Sequence, residues 1–160
     1  KRGERRKNRK KKGKKKAASE NGIHAGIYKL RPDINAVIHT HQAAASSVSA
    51  ARQKTMVLTK KEELILGKKI STAPYALPGT KKLKKAAIEG LLKNKAVLLA
   101  NHGAICIGTD LDDAFHVANT LEQACQSVVL NAFATRFDIK NPSFSLLHKT
   151  WLDQQAERQP

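Results

Sequence analysis

Ile-Asn-Ala-Val-Ile-His-Thr-His, residues 34–41, is the most informative stretch of the chain. Its apolar residues predict a short buried strand. Side chains alternate between the two faces of a strand, so His39 and His41 are expected to project to the same side at its end. Two neutral imidazoles that converge on one point suit a borderline divalent metal such as zinc. A His-x-His pair is weak evidence alone, so the rest of a metal site must come from elsewhere in the chain.

A third histidine lies at a predicted turn between two apolar runs. Residues 96–100 and 104–107 predict strands, and Asn101-His102-Gly103 separates them. Gly103 permits a sharp turn and close approach of the backbone. A histidine at a strand end that faces a cleft is well placed as a ligand, and His102 is expected to join His39 and His41. Three histidines around one metal ion leave an open coordination position, which is the catalytic arrangement of zinc.

An acidic residue near the start of the first predicted helix is the fourth candidate. Ser19 is a suitable N-cap for a helix that runs to about Leu30, and Glu20 follows it. A helix N-terminus favours a carboxylate, so one interpretation of Glu20 is that it serves only to stabilise the start of the helix. The alternatives are that Glu20 is a metal ligand, a proton-transferring base, or each of these at a different stage of a reaction. The remaining histidines lie on predicted helices without a partner pattern and are interpreted as structural or surface residues: His24, His116 and His148.

Apolar periodicity and turn residues predict alternating helices and strands, and therefore a layered α/β or α+β domain. Helices are predicted over 19–30 (with Ile23, Ile27 and Leu30 facing inward), 43–51, 60–69, 80–94 and 110–136, with a last amphipathic helix after Pro142. Strands are predicted over 34–39, 56–58, 96–100 and 104–107, with an extended segment over 70–77.

The formal charge of +17 is concentrated at one end of the chain. Residues 1–16 contain twelve Lys or Arg and one Glu, and are predicted to be a disordered tail. Such a run binds polyanions weakly in a salt-sensitive manner, or is simply solvated.

Cys106 and Cys125 lack CxxC spacing and are predicted to be buried reduced thiols. No apolar run has the length of a membrane span or the form of a signal peptide, which predicts a cytoplasmic protein without a membrane partner.

Several motifs together resemble one family, the class II aldolase/adducin-like proteins typified by zinc-dependent sugar-phosphate aldolases of the L-fuculose-1-phosphate aldolase type. Glu20 precedes His39 by 19 residues and His39 precedes His102 by 63, which is similar to the spacing in the family. The resemblance extends from about Ala17 to Ala134. It is carried by Ser19-Glu20, Ala25-Gly26-Ile27-Tyr28, residues 31–41, Ala73-Pro74-Tyr75-Ala76-Leu77-Pro78-Gly79-Thr80 and Leu99-Ala100-Asn101-His102-Gly103-Ala104.

The resemblance implies a three-layer α/β/α fold over residues 17–160 and a zinc-dependent aldehyde-lyase. It implies that His39, His41 and His102 hold the zinc ion and that Glu20 is both ligand and acid/base, with Ser19, Asn101 and Gly103 binding substrate. The substrate would be a sugar phosphate or a small hydroxy-ketone, cleaved through an enediolate whose charge the metal stabilises. It also implies a homo-oligomer, commonly a tetramer.

The chain departs from the family pattern in two places. Family members have an N-terminal segment with Gly-Asn and Ser-Gly motifs that holds the substrate phosphate, and this segment is expected to be lacking here. The aldolases also use a tyrosine after the histidine pair, whereas residues 42–74 contain none. Three alternatives therefore remain: a diverged or fragmentary aldolase, another metal-dependent reaction of the family (epimerisation, dehydration or decarboxylation), and a non-catalytic adducin-like binding module.

Overall fold

A computed structural model describes residues 21–53, 56–136 and 149. The described helices and strands are interspersed along the chain, which is typical of a mixed α and β fold. In chain order they are α1 (Asn21–Leu30), β1 (Ala36–Thr40), α2 (Ala43–Ala50), α3 (Lys60–Leu66), β2 (Thr72–Ala73), α4 (Lys81–Leu91), β3 (Ala96–Leu99), β4 (Gly103–Gly108) and α5 (Leu111–Arg136).

The four strands form one sheet in the order β1-β4-β3-β2. β4 runs antiparallel to both β1 and β3, while the two-residue strand β2 is parallel to β3. His39 pairs with Ile105 and Thr40 pairs with Ala104, so the C-terminal end of β1 lies beside the beginning of β4. This pairing brings the His-x-His segment next to the turn that carries His102.

Helices cover both faces of the sheet and create two separate apolar clusters, which we call the α2/α5 cluster and the α1/α4 cluster. β3 and β4 are buried over their whole lengths because each contributes side chains to both. The α2/α5 cluster contains Ala44, Ala45, Val48, Met56, Leu66, Ile70, Ala96, Leu98, Ala104, Cys106, Val117, Ala118, Leu121, Ala124 and Cys125. The α1/α4 cluster contains Ile23, Ile27, Ile34, Ala73, Ala76, Leu83, Ala87, Leu91, Val97, Leu99, Ile105 and Ile107. The three-layer α/β/α arrangement is thereby confirmed.

Local sequence signals set the starts of two helices. Thr80 caps α4 by accepting a hydrogen bond from the Leu83 amide at 3.3 Å. Thr59 and Glu62 form a capping box at α3, in which the Thr59 amide donates to the Glu62 carboxylate at 2.7 Å. Each cap satisfies backbone donors that the first turn of a helix leaves without an intrahelical partner.

Three expectations for individual elements were wrong. Residues 56–58 do not form a strand: Met56 donates one backbone hydrogen bond to Ile70, and Val57 is 95% exposed. Leu30 is also exposed, because it ends α1 instead of continuing the buried face. Val37 and Ile38 are half-buried, not fully buried, since β1 is an edge strand of the described sheet. The basic run, the Ser19 cap and, apart from the helical residue Lys149, the helix predicted after Pro142 lie outside the described residues.

The two cysteines agree with the expectation of buried reduced thiols. Both are buried and free. Burial raises the pKa of each thiol to about 12, and for Cys125 the nearby Glu122 adds to the effect. Within residues 21–53 and 56–136, no helix combines the length and the apolar character needed to cross a membrane.

Candidate metal centre

Three imidazoles lie together at the end of β1. His39, His41 and His102 each offer a ring nitrogen, and these three atoms all lie within 4.8 Å of one another. The ring centroid of His39 is 4.6 Å from that of His41 and 4.7 Å from that of His102, and the third pair is 5.3 Å apart. This is the cluster that the sequence predicts, although the role of its members as metal ligands stays a prediction.

The end of β1 places the first two histidines. His39 lies in the strand, but Thr40 ends it, so His41 falls in the short link to α2 and is exposed. The two rings are nevertheless close, because Nε2 of His39 and Nε2 of His41 are 2.9 Å apart. At that distance one ring donates a hydrogen bond and the other accepts it.

The β3–β4 turn places the third histidine. Asn101 adopts a left-handed backbone conformation (φ 57°), which asparagine tolerates better than most residues. A Cβ atom on Gly103 would lie 2.4 Å from the backbone oxygen of Thr40 and 2.6 Å from Cδ2 of His41, so only glycine allows the turn to approach the histidine pair this closely. Gly103 is therefore a packing requirement of the site, besides being a predicted substrate-binding residue.

Backbone hydrogen bonds hold the same turn from two sides. The His102 amide donates to the carbonyl of Leu99 at 2.9 Å, which closes the turn. The Asn101 amide donates to the carbonyl of Ser49 near the end of α2 at 3.3 Å. The helix that follows His41 is thus attached to the turn that carries His102.

The sequence did not predict one acidic side chain that contacts the helix following His41. Glu122, on α5, accepts hydrogen bonds from the amides of Ala44 (2.8 Å) and Ala45 (2.9 Å) in the first turn of α2. The N-cap residue of α2 is Gln42, and its side chain makes no capping bond. Glutamine is not among the preferred N-cap residues, and this was the available signal that α2 needs an acceptor from elsewhere.

The residues present fit a divalent transition metal. Three imidazoles are a donor set that zinc and its neighbours prefer, and one ring nitrogen of each lies within 4.8 Å of the other two. Nδ1 of His102 is buried and has no hydrogen-bond partner within residues 21–53 and 56–136. A buried ring nitrogen without a partner is costly unless a ligand occupies it. Ser19 and Glu20 lie outside the described residues, and their roles stay predictions.

The same motif region matches a family model described as "Class II Aldolase and Adducin N-terminal domain", over residues 2–129. The chain belongs to this family. The matched region includes Glu20, His39, His41 and His102. It begins inside the basic run, so the match includes most of residues 1–16 as well as the folded core.

Individual members of the class II aldolase and adducin family are similar to this chain over about two thirds of its length. The L-fuculose phosphate aldolase of Methanocaldococcus jannaschii is 35% identical over 116 residues, which are 72% of this chain and 62% of the relative. The 5-deoxy-D-ribulose 1-phosphate aldolase of Bacillus thuringiensis serovar kurstaki is 37% identical over 111 residues, 69% of this chain and 52% of the relative. The chain thus spans about half to three fifths of the length of these curated relatives.

Solved structures of the family share the fold. An L-fuculose 1-phosphate aldolase superposes with a TM-score of 0.67 at 28% identity, covering 83% of this chain and 63% of the other. The L-fuculose-1-phosphate aldolase of Thermus thermophilus superposes with a TM-score of 0.65 at 24% identity, covering 74% of this chain and 64% of the other. The expected class II aldolase fold is therefore confirmed.

Proposed function

We propose that this chain is a metal-dependent aldolase that cleaves a carbon–carbon bond in a sugar phosphate or a small hydroxy-ketone. The observation that carries the proposal is the convergence of His39, His41 and His102 at the end of the edge strand. Zinc is the proposed ion because a three-histidine set with an open position is its usual catalytic arrangement. The aldolase names of the relatives support the reaction class and the sugar-phosphate substrate.

The donor set explains how the site would serve an aldol cleavage. Breaking the bond beside a carbonyl leaves negative charge on the oxygens of the departing fragment, and a bound divalent ion supplies Lewis-acid stabilisation of that charge. His39 and His102 are partly buried, which holds their rings in place, while His41 is exposed and leaves the site open to a small molecule. The chain's own contribution is thus a preorganised set of neutral ligands beside an accessible surface.

Glu20 is the proposed acid/base. It immediately precedes Asn21, the first residue of α1. Ile23 of α1 packs in the same cluster as Ile105, and Ile105 is the strand partner of His39. Helix α1 therefore begins on the face of the sheet to which His39 belongs, which supports Glu20 as the carboxylate that moves the proton at the reacting carbon. Ser19, Asn101 and Gly103 are the proposed substrate-binding residues, and a homotetramer is the proposed assembly.

The first test is the metal content of the purified chain, measured by elemental analysis after incubation with zinc and desalting. We expect about one zinc ion per chain in the wild type and almost none in His41→Ala, because a lost imidazole removes a third of the donor set. His116→Ala is the matched control, since His116 is an exposed histidine on α5 outside the cluster. A folded wild type that retains no metal would overturn the enzyme proposal and favour the binding module.

The second step is a cleavage assay on the zinc-loaded chain. L-Fuculose 1-phosphate and 5-deoxy-D-ribulose 1-phosphate are suitable first substrates, and release of an aldehyde is the readout. Glu20→Gln retains the size of the side chain but not its basicity, so bound zinc together with lost cleavage supports the acid/base role. Unchanged cleavage in that variant would show that another group moves the proton. A metal-loaded wild type that cleaves neither substrate but epimerises or decarboxylates a related one would replace the aldolase assignment.

A further inference from the structure

The carboxylate of Glu122 connects two segments that are distant in sequence and that both lead to the histidines. α2 begins two residues after His41, and α5 begins after β4, the strand that starts at Gly103. The hydrogen bonds from Ala44 and Ala45 to Glu122 span 78 and 77 residues. Both oxygens of the carboxylate are used, which is the geometry expected of a strong, orienting contact.

The first turn of α2 depends on this contact. The amides at the beginning of a helix have no intrahelical partner, and a suitable N-cap side chain normally accepts from one of them. Gln42 makes no such bond, and both Ala44 and Ala45 are buried, so water is a poor substitute. Glu122 therefore replaces the N-cap, and its negative charge also suits the positive end of the helix dipole.

The position of His41 follows from the same contact. His41 lies outside β1, so it lacks the strand pairing that fixes His39 opposite Ile105. The ring of His41 packs against Gly103, where a Cβ atom would lie only 2.6 Å from its Cδ2. After His41 the chain continues through Gln42 into α2. The two hydrogen bonds to Glu122 therefore fix the backbone three and four residues after His41.

From this geometry we propose that Glu122 is a positioning residue for the metal centre. It holds the first turn of α2 and thereby keeps the imidazole of His41 beside those of His39 and His102. This inference rests on the proposed function in one respect, because it assigns to Glu122 an effect on metal affinity. Its effect on the placement of His41 does not require a metal and can be measured separately.

The test compares two carboxylate caps on two helices. Glu122→Gln weakens the cap of α2, and Glu62→Gln weakens the capping box of α3, a helix that carries none of the three histidines. Co²⁺ is titrated into the metal-free chain and followed by its visible absorption, which reports both affinity and coordination geometry. We expect affinity to fall about 10- to 100-fold in Glu122→Gln, as is typical when a group that orients a metal ligand is lost, and to change less than about twofold in Glu62→Gln.

A second readout separates this inference from the proposed function. In the metal-free chain, the ring proton resonances of His41 are recorded by NMR for both variants. A shift of these signals in Glu122→Gln but not in Glu62→Gln supports the positioning role even if the wild type binds no Co²⁺, a result that would overturn only the metal proposal. Unchanged His41 signals, or equal Co²⁺ affinities in the wild type and Glu122→Gln, would overturn the role assigned to Glu122. Glu122→Asp keeps the charge but shortens the reach, and an intermediate Co²⁺ affinity is expected for it.

Discussion

The two faces of the sheet are packed in different ways. Most members of the α2/α5 cluster are Ala or Cys, whereas most members of the α1/α4 cluster are Ile or Leu. Small side chains allow helices to approach the sheet and each other closely. In this layer the Glu122 carboxylate on α5 reaches the α2 amides at 2.8 and 2.9 Å.

His39 and His41 lie where the chain passes from β1 to α2. Pairing with Ile105 assigns His39 to the face of the α1/α4 cluster, while α2 packs in the opposite layer. The site is therefore held from both sides, by the large aliphatic side chains under β1 and β4 and by the closely packed start of α2. Changes in either layer should reduce stability, and changes at the start of α2 should in addition alter the position of His41.

The largest effects are expected from truncating neighbouring core leucines that face opposite layers. Leu98 belongs to the α2/α5 cluster and Leu99 to the α1/α4 cluster, and both are fully buried. Leu98→Ala and Leu99→Ala should each lower the free energy of unfolding by roughly 2–5 kcal/mol. The loss should be larger for Leu98→Ala, because the short side chains around it have few rotamers with which to fill the cavity.

Urea denaturation of the metal-free variants measures this difference directly. Equal slopes of the unfolding curves are the control, since they show that both variants unfold from a similarly compact state. A loss in Leu99→Ala that equals or exceeds the loss in Leu98→Ala would show that the two layers do not differ in their ability to relax.

An intermediate effect is expected when a buried alanine is enlarged in each layer. Ala45 in α2 and Ala87 in α4 are both fully buried. Ala45→Leu and Ala87→Leu should each cost about 1–3 kcal/mol through overpacking. Only Ala45→Leu should also lower Co²⁺ affinity, by several fold, because the amide of Ala45 is one of the two that Glu122 holds.

The pair is informative because the two substitutions are chemically identical. Thermal unfolding of the metal-free chain gives the stability cost, and the Co²⁺ titration gives the effect on the site. If Ala87→Leu lowered metal affinity as much as Ala45→Leu, the site would depend on general stability and not on the anchoring of α2.

The sequence predicts the layered fold and the meeting of the histidines because both depend on local signals. Apolar runs mark β3 and β4, and Gly103 marks the turn between them, so the place of His102 follows from strand pairing alone. Residues 56–58 show the limit of such signals: an apolar run of three residues forms a strand only if a partner strand is available, and Met56 makes just one backbone bond with Ile70.

Glu122 could not be assigned from its local sequence. Its position on α5 is compatible with an ordinary surface residue, and its partners lie 77 and 78 residues earlier in the chain. The absence of a good N-cap before α2 shows that an acceptor is needed but not which residue supplies it. Long-range polar contacts of this kind depend on how closely the layers approach, which side-chain periodicity does not encode.

The smallest effect is expected at the rim of the α1/α4 layer, in acid. Arg31 donates to both carboxylate oxygens of Asp33 (2.8 and 2.7 Å), and to the carbonyls of Leu91 (2.8 Å) and Asn94 (3.3 Å) near the end of α4. The Arg31 guanidinium lowers the pKa of Asp33 to about 2. Because the folded pKa lies below the usual value of about 3.9, the stabilisation is complete above pH 4 to 5 and is lost as the pH falls towards 2.

Melting temperatures of the wild type and Asp33→Asn between pH 6 and pH 2 test whether the stabilisation by Asp33 is lost in acid. The wild type should be slightly more stable at pH 6, and the two curves should approach each other towards pH 2, where about half of Asp33 is protonated in the folded chain and nearly all of it in the unfolded chain. The difference at pH 6 should be small and should shrink in high salt, because Asp33 is solvent-exposed. A difference that persisted unchanged to pH 2 would mean that Asp33 acts through the turn that it occupies after α1 and not through its charge. The main polar contact of Arg31 would then be its hydrogen bonds to the backbone carbonyls at the end of α4. Each layer would then contain one charged side chain that holds the end of a helix through backbone groups, Arg31 at α4 and Glu122 at α2.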